Sequence, residues 1–276
     1  MPTIAEKRER FAQLHKGPGA FVIPNPWDVG SAVYLTSLGF KALATTSAGM
    51  AFAAGKPDGG VTRAYALKHI AELVAATHLP VNADFEAGFA KSADALHDSA
   101  KLCIGTGVAG FSIEDFTGDA QAPVYTLAEA VDRVRAARSA INASGQRVLL
   151  TARSEVVRLG HGGGLAEALT RLSAYAEAGA DVLFAPGLKT ADAVAEVVRV
   201  AGPLPVNVLV GAPGFTKKQL EDLGVRRIST GAALARAAWG GFIRAAADIA
   251  EHGRFDALKD LAPAADLDAL FRARKD

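Results

Sequence analysis

Short apolar or β-branched runs alternate along this chain with longer segments in which alanine, leucine and charged residues recur at helical spacing. That alternation predicts repeated βα units built on a parallel sheet. Eight runs read as strands: Ala20 to Pro24, Ala42 to Thr46, Val81 to Asp84, Gly110 to Glu114, Val148 to Ala152, Asp181 to Ala185, Val206 to Leu209 and Arg227 to Ser229. Between them fall helical candidates at Ala64 to Thr77, Lys91 to Thr106, Leu127 to Ala143, Leu165 to Ala178, Ala191 to Val200 and Ala232 to Glu251, whose composition favours helix. Gly39, Gly107, Gly179 and Gly224 each close a helical pattern ahead of a strand, where a left-handed backbone favours glycine. Eight repeats predict an α/β protein of the (β/α)8 TIM-barrel type, a single domain over residues 1–276. A further amphipathic segment, about 255–276, is expected to pack outside the barrel or on another subunit.

Composition narrows the function classes. Half of the 276 residues are apolar, enough for one large core. Thirty basic and 29 acidic side chains nearly cancel, so no chain-wide positive field exists to recruit nucleic acid or an anionic membrane. Cys103 is the single cysteine, which excludes an intrachain disulfide and a multi-thiolate zinc site and suits a reducing compartment, the cytoplasm. The charged start, Met1 to Gln13, lacks the apolar run of a signal peptide, and no later stretch is long and apolar enough to span a membrane. The expected partners are small molecules and further copies of the chain.

In a barrel of this kind chemistry sits where strands end and βα loops begin. Those positions are polar here: Asn25, Trp27 and Asp28; Thr45, Thr46 and Ser47; Asp84 and Glu86; Glu114 and Asp115; Arg153, Ser154 and Glu155; Asn207; Thr230 and Gly231. Asp84 and Glu86 are two apart and share a face on an extended strand. They are oxygen ligands of the kind hard cations such as magnesium take, although solvated turn formers are the plain alternative. Glu114 and Asp115 end a buried-strand pattern, and one of them is expected to reach a metal through water. Arg153 follows an apolar strand and reads as paired with an acid or a ligand. Four carboxylates and one arginine on one rim predict a metal-centred pocket for an anionic substrate. Trp27, at the first strand's mouth, is expected to wall that pocket.

Other signals have plainer readings. Gly105 to Gly110 fits the dinucleotide pattern G-x-G-x-x-G, but a helix precedes it and a strand follows, the reverse of the required order. It reads as a helix-end turn. Gly160 to Gly164, with His161, reads as a flexible loop, and no histidine cluster has metal-ligand spacing. Cys103 lies between Leu102 and Ile104 in a helix and reads as core.

Taken together, the motifs resemble the isocitrate lyase and phosphoenolpyruvate mutase superfamily, from about Phe21 to Phe255. The marks are Asn25-Pro26-Trp27-Asp28, Thr45-Thr46-Ser47-Ala48-Gly49, Pro57-Asp58-Gly59, Asp84-Phe85-Glu86-Ala87-Gly88, Ile113-Glu114-Asp115, Ala152-Arg153 and Pro205-Val206-Asn207-Val208-Leu209. The resemblance implies a barrel dependent on magnesium, or on manganese in its place, that stabilises the enolate of a 2-oxo acid. It implies Asp84 touching the metal directly or through water, with Asp58, Glu86 and Glu114 completing its outer shell, so that Asp84, Glu86 and Glu114 are the candidate metal residues, and Arg153 pairing with substrate. Arg153, Glu114 and Asp58 are the candidate catalytic residues, and Trp27, Thr46, Ser47, Ala48, Arg153 and Asn207 the candidate substrate contacts. It also implies a homo-oligomer, a dimer or tetramer, in which the last barrel helix, Ala232 to Ile249, is exchanged between subunits.

Two departures shape the expected activity. Where relatives that cleave isocitrate or methylisocitrate carry lysine and cysteine after the fourth strand, this chain reads Phe116 to Tyr125 with neither, and it lacks the lysine and asparagine of the phosphonate enzymes. Ala185-Pro186 stands where the mutases place a histidine. The expectation is a magnesium-dependent lyase or decarboxylase acting on a small 2-oxo dicarboxylic acid through a metal-stabilised enolate, with water or Tyr125 as proton donor. The rivals are carbon–phosphorus chemistry on phosphonopyruvate, and a 2-oxo acid binding protein with little turnover.

Overall fold

Thr3 and Glu6 form a reciprocal capping box that starts the first helix, α1 (Ile4–Lys16). The computed structural model describes residues 1–273, so Arg274 to Asp276, the end of the expected extension, lie outside the described residues. After α1 the chain runs β1 (Phe21–Ile23), α2 (Val29–Ser37), β2 (Leu43–Ala44), α3 (Ser47–Ala53), α4 (Arg63–Ala76), β3 (Val81–Asp84), α5 (Ala93–Gly105) and β4 (Gly110–Glu114). The second half runs α6 (Leu127–Ser144), β5 (Leu149–Arg153), α7 (Val156–Leu159), α8 (Gly164–Glu177), β6 (Val182–Phe184), α9 (Ala191–Ala201), β7 (Val206–Leu209), α10 (Lys217–Asp222) and β8 (Arg227–Ser229). Two helices close the described chain, α11 (Ala233–His252) and α12 (Ala264–Arg272), joined by a short 3₁₀ turn.

All eight strands are parallel, in the order β1-β8-β7-β6-β5-β4-β3-β2. Between β1 and β2 the barrel is stitched by Ala44 N–H donating to the Pro24 carbonyl at 3.1 Å and the Asn25 amide donating to the Thr45 carbonyl at 2.7 Å. The (β/α)8 TIM barrel expected from the repeat pattern is therefore the observed fold, and each expected strand is present within one or two residues of its expected ends.

Strand alternation sorts the interior into two environments. Ala83, Phe111, Ile113, Ala152, Val206, Val208 and Ile228 point outward into the apolar layer between sheet and helices. Their neighbours Asn82, Asp84, Ser112, Thr151, Arg153, Asn207 and Arg227 point to the barrel axis, where they bond or line one cavity. Cys103 is buried in the outer layer, as expected.

Helix α1 plugs the amino-terminal mouth. Phe11 is 0 % exposed beneath the barrel, and a Cβ at Gly110 would lie 2.8 Å from its ring and 2.9 Å from Asn82, so this approach needs glycine. Lys7 donates to the Val74 carbonyl at 3.0 Å and also to Thr77, while Arg8 donates to Val108 and Ile104 at 2.8 and 2.9 Å. These cations satisfy helix-end and loop carbonyls that would otherwise be buried without donors.

The last barrel helix behaves differently. Helix α11 buries only Ala235 among its residues and leaves Phe242 and Ile243 more than half exposed. Trp239 stacks edge-on against Phe242 at 5.4 Å, and Trp27 sits in the shallow cleft that these two rings share with Ala53 and Ala238.

Candidate active site

The carboxyl ends of the strands open into a cavity of about 430 Å³. Its wall includes Thr46, Ser47, Ala48, Asp58, Asp84, Arg153 and Asn207 among the residues expected from the sequence, together with Phe52, Arg158, Phe184, Arg227 and Arg236. Asp84 is its centre. One carboxylate oxygen accepts from the Ser47 amide and hydroxyl, both at 3.0 Å, and the other accepts from Arg153 at 3.3 Å. The Asp84 amide donates to the Thr45 hydroxyl at 2.8 Å, so both ends of the residue are held against the loop after β2. Thr46 caps α3 by accepting from the Gly49 amide at 3.2 Å, which aims the first amides of that helix at Asp84.

Arg153 gathers three acids. It lies 3.3 Å from Asp84 and 3.2 Å from Glu114, and it also pairs with Glu155, which in turn pairs with Arg158. Burial works against its charge, but Glu114, Glu155 and Asp84 outweigh that effect and hold its pKa above the ordinary arginine value. Glu114 is buried behind Arg153, and burial pushes its pKa up.

Glu86 emerges from a contorted loop. Its φ is +50°, with Gly88 at +75° and Phe89 at +53°, and a non-glycine residue in that region carries conformational strain. One of its carboxylate oxygens, Oε1, is buried with no partner. Burial, then Asp84 and Asp58, raise its pKa to about 7. Asp58, at the exposed mouth, is also raised, by partial enclosure and by Asp84.

The excess of acid over nearby base suits a divalent cation. Asp84 raises the proton affinity of both Asp58 and Glu86, and the orphaned Glu86 oxygen wants a positive or donating partner. No three acidic, histidine or cysteine side chains among the described residues stand close enough to ligate one ion together. The donor set therefore fits a magnesium-type ion held by one or two carboxylates and largely by water, the usual manner for that metal.

Several expected residues lie elsewhere. Trp27 does not wall the cavity; the turn into α2 directs it toward α11. Asp115 is turned away from the rim and accepts from the Glu155 amide at 2.7 Å, the Tyr175 hydroxyl at 2.7 Å and Arg171 at 3.1 Å. It anchors β4 to α8. Tyr125, expected as a weak proton donor, is not in the cavity wall; its ring lies under the Arg133 guanidinium at 4.3 Å. Glu86 and Glu114 stand behind the wall rather than on it. Asn207 lines the cavity, but its amide is engaged at both ends, by Ser229 and Arg227, each at 2.9 Å.

Fold and site together define a barrel enzyme with a polar cavity at the carboxyl ends of its strands. The chain belongs to the phosphoenolpyruvate phosphomutase family, whose model matches residues 11–250. A solved protein of Burkholderia cenocepacia with only a provisional lyase/mutase designation is 46 % identical, with a TM-score of 0.94 and coverage of 98 % of both chains. An uncharacterised protein of Mycobacterium tuberculosis is 34 % identical over 223 residues, 80 % of this chain and 81 % of the relative. The solved 2,3-dimethylmalate lyase, a member of the PEP mutase/isocitrate lyase superfamily, is 25 % identical at a TM-score of 0.83, covering 99 % of this chain and 94 % of the other. The superfamily expected from the motifs is confirmed, and its members are carbon–carbon lyases and mutases.

Proposed function

We propose that this protein is a magnesium-dependent lyase or decarboxylase that acts on a small 2-oxo dicarboxylic acid through a stabilised enolate. The observation that carries the reading is the gathering of Asp84, Asp58, Glu86 and Glu114 around one end of the cavity, with a Glu86 oxygen buried and unpartnered. Magnesium, the metal that the superfamily generally employs, would be held by Asp84 with Asp58, Glu86 and Glu114 outside it; bound there, it withdraws electrons from carboxylate and keto oxygens. The chain's own residues orient the substrate. At the start of α3 the Ser47 amide and hydroxyl fix Asp84, and Ala48 beside them lines the cavity, where a developing oxyanion gains from an oriented backbone amide. Arg153, locked by Glu114 and Glu155, offers a fixed guanidinium to a carboxylate.

The loop from Phe116 to Tyr125 supports cleavage that needs no protein acid to begin. It folds back as a short antiparallel bridge between Phe116 and Val124, and it brings no lysine, cysteine or asparagine to the cavity. Carbon–phosphorus transfer lacks its cation on the same account. Loss of carbon dioxide leaves an enolate that water can protonate.

The test is a turnover screen with added magnesium, covering oxaloacetate, substituted malates and phosphonopyruvate, with calorimetry on pyruvate and oxalate. Pyruvate released from oxaloacetate, or an oxo acid from a malate, above the metal-only background is the expected result. Tight binding without turnover, or turnover of phosphonopyruvate alone, overturns the reading. The exposed apolar face of α11, with Trp239, Phe242 and Ile243, further supports a homo-oligomer, dimer or tetramer, in which that helix packs on another copy. No helix among the described residues is long and apolar enough to cross a membrane, and the one cysteine, buried and free, fits the cytoplasm.

A further inference from the structure

We propose that Arg227, at the floor of the barrel cavity, is the specificity-determining cation that binds the far carboxylate of the substrate. This inference rests on the 2-oxo acid reading of the same cavity and extends it to a residue below the rim.

Arg227 is 3 % exposed, inside β8, with its side chain on the barrel axis. Its guanidinium donates to the Asn207 amide oxygen at 2.9 Å and to the Thr151 hydroxyl at 3.0 Å, both neutral acceptors, and its Nη1 is buried with no partner. No carboxylate among the described residues offsets its charge: burial lowers its pKa to about 9 with no acid opposing the shift. The ionisable group near it on the plugged side is His15, which burial keeps neutral. A guanidinium is still charged at neutral pH under these conditions, and an uncompensated buried charge is costly unless a counterion reaches it. The other buried arginines nearby differ in this respect, since Arg153 and Arg171 each pair with acids.

The cavity supplies a path for that counterion. Arg227 forms part of its wall, along with inward-facing Asn82, Ser112 and Ser229. Thr151, to which Arg227 donates, lies two residues before Arg153 on β5. The floor cation therefore sits one inward-facing layer, about 7 Å, below the rim cation. That spacing suits a ligand with an anionic group at each end of a short carbon chain. The rim carries surplus acid suited to a metal-chelating 2-oxo acid head, and the floor carries surplus base suited to a second carboxylate. The orphaned Nη1, with the Nη2 hydrogen that Thr151 does not take, presents a fork to which a carboxylate binds through paired N–H groups.

The experiment is calorimetry on the full chain with magnesium, using oxalate and pyruvate as short probes and 2-oxoglutarate and malate as long ones. In the parent chain the long probes are expected to bind more tightly than pyruvate. Arg227→Met should weaken the long probes by about 30-fold or more and leave the short ones within about 2-fold. Its thermal unfolding temperature should hold or rise, because the variant no longer buries an unpaired charge. Arg227→Gln, which removes the charge while keeping an amide beside Asn207 and Thr151, should produce the same selective loss, and it decides the matter if the methionine variant fails to fold. Equal losses for short and long probes, or no loss in either variant, overturn the role of Arg227 while leaving the proposed chemistry standing. Failure of every probe to bind the parent chain overturns both.

Discussion

The two mouths of this barrel are built from the same eight strands and treat buried charge in opposite ways. At the amino-terminal mouth, Lys7 and Arg8 of α1 have their donors taken up by backbone carbonyls, and Phe11 fills the space beneath Gly110. At the carboxyl-terminal mouth, Asp84, Glu114 and Glu155 crowd around the Arg153 guanidinium, Glu86 keeps an oxygen unpaired, and its backbone sits at positive φ. One end is built for stability. The other end holds strain and unmet electrostatic demand, the pattern expected of the metal-dependent site proposed above.

Substitutions at the two mouths should separate these roles. Asp84→Ala is expected to lower metal-dependent kcat/KM by about 10³-fold or more, with the thermal midpoint little changed. At the other end, Phe11→Ala should cost about 3–5 kcal/mol in a denaturant titration and leave KM unaltered. Parent-like turnover in the first variant, or lost substrate affinity in the second, would dissolve the contrast.

Arg153→Ala tests where the contrast blurs, because this residue serves both binding and folding. Substrate affinity should fall by roughly 2–5 kcal/mol. Stability should fall as well, since Glu114 and the fully buried Glu155 lose their partner. A variant with weak binding but an unchanged unfolding curve would show that the three acids do not depend on Arg153.

A smaller effect belongs to the plugged mouth. His15 donates from Nδ1 to the Phe11 carbonyl at 2.8 Å, its Nε2 is buried without a partner, and burial followed by Arg227 lowers its pKa to about 3. A histidine whose folded pKa is depressed resists protonation, so its contribution is fully present above its unfolded pKa near 6.5 and is lost as pH falls toward 3. At pH 4.5 the loss should be about 2–3 kcal/mol. Unfolding measured across pH 7 to 4.5 should be flatter in His15→Leu than in the parent. An equal slope would show that His15 carries none of the acid sensitivity.

Much of this was legible in the chain before folding. Strand positions follow from apolar runs whose partners lie in a uniform parallel sheet, and the helix-closing glycines Gly39, Gly107, Gly179 and Gly224 do adopt positive φ. Helices α1, α2, α3, α7 and α10 were not anticipated, although three of them carry a signal that would have revealed them. Thr3 with Glu6, Asp28 with Ser31 and Thr216 with Gln219 are capping boxes at the starts of α1, α2 and α10. In the site, Asp84 and Arg153 were anticipated because they end strands whose period of two sets their direction, and Ser47 because it opens the loop after β2, whereas Asp58 came only from the resemblance carried by Pro57-Asp58-Gly59.

Adjacent residues then part company in ways that no local pattern encodes. Glu114 faces the axis and Asp115 faces α8, since successive strand positions point to opposite sides and only the packed helix supplies Arg171 and Tyr175. Trp27 follows the turn into α2 and leaves the pocket for the cleft beside α11. Sequence alone determined that this chain makes eight βα repeats with acids and an arginine at the strand ends, because period and residue type are properties of neighbours along the chain. Which acids share Arg153, and that Arg227 is buried with none, was decided only by the closure of the barrel. Charge pairing depends on distances across strands that lie far apart in sequence.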